Sequence, residues 1–161
     1  MNIILIAAIA KNEVIGKATG EMPWHVTEEF KHFKETTTGY PVLMGRKTFQ
    51  TLGKPLKNRT NIIISTNDIS IQGNPEVFVY KDILSALEFC ERQGYEKVFI
   101  IGGGTIYAQT ISIADEMILS YMNFEAEGEV KFPEFNRREW DVWKVDEREL
   151  FTIFYYRKKS L

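Results

Sequence analysis

Apolar residues in this chain gather in short unbroken runs, separated by glycine-bearing stretches and by segments of helical periodicity. The runs Asn2 to Ala10 and Val98-Phe99-Ile100-Ile101 lack any polar alternation, the pattern of strands buried on both faces of a parallel sheet. Pro41 to Met44 (ending at Gly45), Asn61 to Ser65, Glu76 to Tyr80 and Glu116 to Met122 read as further strands. Between them the spacing predicts a helix capped by Thr27 and running to Thr37, and a short one from Arg46 to Leu52. A third is capped by Asp82 and ended by Gly94, with Ile83, Ala86, Leu87 and Cys90 on its core face. A fourth opens near Thr105. Trp140 to Val145 and Phe151 to Arg157 flank the charged turn Asp146 to Glu149 and read as an antiparallel hairpin. Strands alternating with helices and closed by a hairpin predict an α/β fold, one domain over residues 1–161. Its sheet is mostly parallel, with an antiparallel C-terminal edge. Lys11 to Trp24, with Gly16, Gly20 and Pro23, reads as a long loop of the kind that serves as a lid.

Composition narrows the function classes. A chain of 161 residues buries roughly two-thirds of its unfolded surface without disulfides or metal. A net charge of −2 argues against a nucleic-acid partner and against a polybasic membrane surface. No apolar run approaches the ~20 residues of a membrane span, and Ile3 to Ala10 lacks the flanks of a signal peptide. The one cysteine, Cys90, excludes an internal disulfide and suits a reducing, cytoplasmic compartment. His25 and His32 have no cysteine or carboxylate at metal spacing, so no metal is expected, and both are assigned to the surface or to loops.

The expected site lies at the carboxyl ends of the parallel strands: Ala7–Ala8, Gly45, Ser65, Gly102 and Ser120. Small Ala7 and Ala8 leave room for a flat group. Gly102-Gly103-Gly104 enters a helix, which suits either a bare tight turn or close approach of a pyrophosphate to free N–H groups. The dinucleotide fingerprint is only partly met, since Tyr107 stands where its third glycine belongs. Gly45-Arg46-Lys47-Thr48 opens a helix, and Ser65-Thr66 ends the next strand. These residues are either ordinary surface charge or donors to a phosphate. On the helix from Thr27, Val26, Phe30, Phe33 and Thr37 share the core face, Glu29 sits at its rim, and Glu28 points to the surface. Glu29 either complements the helix dipole or is a carboxylate in an apolar cleft, with a raised pKa and a cationic or amidine-like group to bind.

Several segments now form an ordered set: Ile6-Ala7-Ala8, Val14-Ile15-Gly16, Met22-Pro23-Trp24-His25, Phe33-Lys34, Met44-Gly45-Arg46-Lys47-Thr48-Phe49 and Pro55-Leu56. Arg59, Asn61-Ile62-Ile63, Ile101-Gly102-Gly103-Gly104, Ile106-Tyr107, Glu127-Gly128 and Phe132-Pro133 continue it. In this order and spacing they resemble dihydrofolate reductase of the bacterial type. The resemblance implies an eight-stranded mixed sheet, four helices, NADPH as cofactor and reduction of 7,8-dihydrofolate to tetrahydrofolate. It further implies a monomer, inhibition by antifolates and a cis peptide at Gly102–Gly103. By the same carry-over, Glu29 grips the pterin's amino and N3 groups, and Ser120 steadies that acid. Ile6, Ala7, Ala8, Phe30, Phe33, Lys34, Leu52, Leu56 and Ile101 wall the folate cleft, and Arg59 pairs with the tail carboxylate. Met22 and Trp24 belong to the lid over the nicotinamide, and Tyr107 sits beside the hydride path. Arg46, Lys47, Thr48, Ser65 and Thr66 hold the phosphates. Ala8, Ile15, Gly16, Gly45, Ile64, Ile101, Gly103, Gly104, Thr105, Ile106 and Gln109 complete the cofactor wall.

Some positions depart from the commonest bacterial pattern. Glu29 stands where many members have Asp, Ser120 replaces a usual Thr, Thr105 replaces a frequent Arg, and the lid carries an extra residue around Ala18 to Glu21. Two other readings stay open: a riboflavin-pathway pyrimidine reductase on the same fold, and a non-catalytic nucleotide-binding module. The first has no need of the Glu29 and Arg59 pair, and the second no use for an acid on an apolar face.

Overall fold

The computed structural model describes residues 1–67 and 75–160. Its chain runs β1 (Asn2–Ile9), β2 (Val14–Gly16), α1 (Thr27–Thr37), β3 (Pro41–Gly45), α2 (Arg46–Leu52), β4 (Thr60–Ile64) and β5 (Val77–Tyr80). It continues through α3 (Ile83–Arg92), β6 (Lys97–Ile100), α4 (Gly104–Thr110), β7 (Glu116–Met122), β8 (Val130–Lys131), β9 (Trp140–Glu147) and β10 (Phe151–Lys158). An eight-stranded sheet has the order β5-β4-β3-β6-β1-β7-β10-β9. It is parallel from β5 to β7, and β10 and β9 add the antiparallel edge.

The unbroken apolar runs have the expected cause. Along β1, Leu5, Ala7 and Ile9 face one core cluster with Ala86, Leu87 and Cys90 of α3, while Ile4, Ile6 and Ala8 join Val42, Met44 and Phe99 in a second. Both faces of the central strands are therefore out of water, and alternation has no function there. Asp82 caps α3 by accepting from the Ser85 N–H at 2.8 Å, and Gly94 takes φ 78° just past its end. The Gly102–Gly103 peptide is cis.

Other expectations are corrected. Val26, not Thr27, occupies the N-cap of α1, and no side chain caps that end. The segment from Lys11 to Trp24 is not wholly irregular, because β2 pairs antiparallel with β8, over 100 residues away. Phe30 is not core: it remains 39% exposed. His32 is not at the surface: it is 5% exposed, its Nε2 makes no hydrogen bond, and burial holds its pKa below the usual imidazole range. Helix α1 rests against the β9–β10 turn, where Arg148 pairs with Glu28 at 3.3 Å and with Asp146 at 3.0 Å. That contact covers a side of the helix that its own sequence leaves polar. Glu28 is thus exposed as expected but not unpartnered. Strand ends shift by one or two residues, leaving Ser65 and Ile101 just beyond β4 and β6 and taking Asp146 and Glu147 out of the expected turn into β9.

Candidate active site

A cleft of about 760 Å³ opens where β1, β3 and β6 end and α2 and α4 begin. That size lies within the range of small-molecule sites. At one end α1 supplies Glu29, Phe30, Phe33 and Lys34 to its wall, facing Ile6, Ala7 and Ala8 of β1. Leu52, Leu56, Arg59 and Ile101 close the same side. At the other end lie Gly45, Arg46, Lys47, Thr48 and Ile64, opposed by Gly103, Gly104, Thr105, Ile106 and Tyr107. Ile15, Gly16 and Met22 roof it.

Glu29 is 6% exposed, and burial pushes its carboxyl up to about 7. Fully buried Ser120 faces that carboxyl and offsets part of the shift, although its hydroxyl makes no hydrogen bond of ordinary geometry within the chain. The Tyr107 hydroxyl donates to the Ile6 carbonyl at 2.6 Å. Burial, helped by the charge of Glu29, drives its ionisation far above the usual phenol range. Arg59 is 7% exposed, with Nε donating to the Lys57 carbonyl at 2.9 Å and Nη1 to Thr37 Oγ1 at 3.1 Å. The backbone comes close at the end bearing Arg46 and Lys47. A Cβ on Gly45 would lie 3.2 Å from Ile106 Cγ1, and one on Gly103 would lie 3.5 Å from Thr48 Oγ1.

Five expected residues stand outside the cleft wall. Ser65 is buried, its hydroxyl donating to the Asn67 carbonyl at 2.9 Å and accepting the Asn67 N–H at 3.1 Å, a local turn that occupies it. Thr66 and Gln109 are exposed, the latter because α4 turns it to solvent. Trp24 packs edge-on against Phe124, and Ser120 lies beneath Glu29. Conversely, Lys17, Ala18, Gly20, Thr51 and Val130 line the cleft without having been anticipated. Thr51 was traceable, one turn beyond Lys47 on α2. Val130 reaches the site only through the β2–β8 pairing, which no local pattern announces. Among the described residues no group of side chains is placed to hold a metal ion, and no helix is long and apolar enough to cross a membrane.

Residues 2–154 match the family model described as dihydrofolate reductase. The chain belongs to the dihydrofolate reductase family. Among family members, dihydrofolate reductase HdrB of Haloferax volcanii is 37% identical, the match covering 98% of this chain and 84% of that protein. The Haemophilus influenzae dihydrofolate reductase is 38% identical over 88% of this chain and 85% of its own length. Among solved structures, dihydrofolate reductase from Enterococcus faecalis, complexed with NADP(H) and RAB-propyl, superimposes with a TM-score of 0.84 at 30% identity. That match covers 99% of this chain and 97% of the other. The eight-stranded mixed sheet with four helices that the resemblance implies is the one found here.

Proposed function

We propose that this chain reduces 7,8-dihydrofolate to 5,6,7,8-tetrahydrofolate with NADPH. One observation carries the reading: a single cleft holds a buried acid, Glu29, and a buried cation, Arg59, on one side, with Arg46 and Lys47 on the other. A pterin with a carboxylate tail uses the first pair, and a phosphorylated cofactor uses the second. A pyrimidine reductase has no need of the first pair, and a non-catalytic module has no use for a buried acid.

The residues fit NADPH on structural grounds. Bare glycine backbone at Gly45 and Gly103 lies where a side chain would crowd Ile106 or touch Thr48, and Arg46 and Lys47 flank it. Bound there, NADPH supplies the hydride that reaches C6 of the substrate. Arg46, Lys47 and Thr48 are the phosphate donors; Ser65 and Thr66 stand outside the cleft wall, the Ser65 hydroxyl bonded to Asn67. Gly103, Gly104, Thr105 and Ile106 form the opposite wall.

Glu29 accepts from the pterin's 2-amino and N3 groups and so orients the ring. A carboxylate in an apolar cleft is stable only when such donors meet it. Ser120 holds Glu29 in place, and Ile6, Phe30, Phe33 and Leu52 sandwich the ring and its aryl linker. Proton delivery to N5 goes by water admitted beneath the Met22 lid, with Glu29 tuning it. Tyr107 holds the Ile6 carbonyl beside this path. We read the enzyme as a cytoplasmic monomer open to antifolate inhibition.

The test is spectroscopic. NADPH absorbance should fall on adding dihydrofolate and should not fall with a riboflavin-pathway pyrimidine. No loss with dihydrofolate would refute the reading.

A further inference from the structure

Arg59 lines the cleft with its guanidinium held from within the chain. Two of its donors are committed within the chain, Nε to the Lys57 carbonyl at 2.9 Å and Nη1 to Thr37 Oγ1 at 3.1 Å. Thr37 is completely buried, and its own hydroxyl hydrogen goes to the Phe33 carbonyl at 2.8 Å, so it must accept from Arg59 rather than donate. Beneath, Asn61 is also completely buried. Its Oδ1 accepts the Leu56 N–H at 2.9 Å, and its Nδ2 donates to the carbonyls of Leu56 at 2.9 Å and of Arg59 at 3.0 Å. The loop bearing Arg59, with Asn58 at φ 60°, is thereby pinned to β4. Helix α1 thus sets the guanidinium and β4 sets its backbone.

A guanidinium meets a carboxylate by one of two double-donor edges, Nε with Nη2 or Nη1 with Nη2. Here Nε is already taken. The second hydrogen of Nη1 and both of Nη2 are left for the cleft.

We propose that Thr37 is a positioning residue for substrate recognition, holding Arg59 so that its Nη1–Nη2 edge takes the substrate's tail carboxylate end-on. The proposal rests on the dihydrofolate reading of the site and adds to it a residue that touches no ligand. Without the Thr37 acceptor the Nη1 hydrogen turns to water or to another carbonyl, and the end-on edge is no longer fixed. The loss then falls on substrates with a carboxylate tail and spares those without one.

The experiment compares Michaelis constants for dihydrofolate and for a dihydropterin lacking the aminobenzoylglutamate tail. Thr37→Val should raise the constant for dihydrofolate roughly tenfold, the usual size for a lost bond to a charged group. It should leave the tail-less substrate within about twofold, and Thr37→Ser should restore the wild-type ratio. In an Arg59→Ala background Thr37→Val should add nothing, since its effect passes through the guanidinium. Should Thr37→Val fail to fold, Thr37→Ala gives the same comparison. An equal rise for both substrates, or an additive loss in the Arg59→Ala background, would overturn the proposal while leaving the enzyme a dihydrofolate reductase. Absence of dihydrofolate turnover in the unsubstituted protein would instead overturn the functional reading beneath it.

Discussion

The Tyr107 hydroxyl donates to the backbone carbonyl of Ile6 at 2.6 Å, joining residues 101 positions apart. The bond ties α4, on one wall of the cleft, to β1, on the wall that faces Glu29. Because both groups are buried, neither finds water if the contact opens, and the two halves of the cleft are held in register.

The proposed reaction turns on Glu29. Glu29→Gln keeps the shape and removes the charge, so NADPH binding should be unchanged. Turnover at neutral pH should fall by the ~10²–10⁴-fold that accompanies loss of acid–base assistance. Part of that loss should return in acid, where more substrate carries its own proton at N5. Glu28→Gln is the control. Its exposed pairing with Arg148 contributes at most about 1 kcal/mol, so turnover should stay at the wild-type level. Steady-state rates across pH for the two variants check this, and matching defects would displace Glu29 from its role.

The same carboxyl sets a pH dependence of stability. Its ordinary value is 4.5 and its value in the fold about 7, so between these limits the folded chain holds a proton that the unfolded chain has lost. Stability from this group therefore falls as pH rises from 4.5 to 7 and is level above that. Glu29→Gln has no such slope. It should match the wild type near pH 4 and exceed it by up to about 3 kcal/mol at pH 8. Urea unfolding at both pH values reads the difference, and a variant weaker than the wild type at pH 8 would contradict it.

Arg46, beside Lys47, is a charge at the end of the cleft proposed for the cofactor. Arg46→Ala should raise the Michaelis constant for NADPH roughly ten- to a hundred-fold and barely change that for NADH, as loss of a charge-assisted phosphate contact requires. Because the Ser65 hydroxyl is bound to Asn67, Ser65→Ala should change cofactor preference far less. Equal losses with both cofactors would refute the assignment of Arg46.

Gly128 governs how closely its loop packs on β2. A Cβ there would lie 2.5 Å from the Gly16 carbonyl oxygen and 2.7 Å from Val14 Cγ1, both in β2. Gly128→Ala must push β2 away, at the ~1–3 kcal/mol typical of overpacking. Because Ile15 and Gly16 roof the cleft, turnover should slow as well. Chemical denaturation and steady-state kinetics measure the two effects together.

Much of this protein was legible in its sequence, because the signals are local. Parallel strands buried on both faces must be continuously apolar, so β1, β3, β6 and β7 declared themselves as runs, and Asp82 and Gly94 marked the ends of α3 through backbone chemistry confined to one turn. The ordered motifs placed Glu29, Arg46 and the glycine turn at strand ends and helix starts and Arg59 in the loop before β4, all on the wall of the cleft. What remained depended on contacts between distant segments. The β2–β8 pair is two short strands with no pattern of their own. His32 is buried, against its polarity, because the β9–β10 turn lies over α1, and Phe30 is half exposed because a cleft, rather than another element, faces it. Ser65 follows directly on β4, but only the fold shows that Asn67 holds its hydroxyl. Local pattern records what each residue needs from water and backbone; which surfaces come to cover it is decided only when the chain closes on itself.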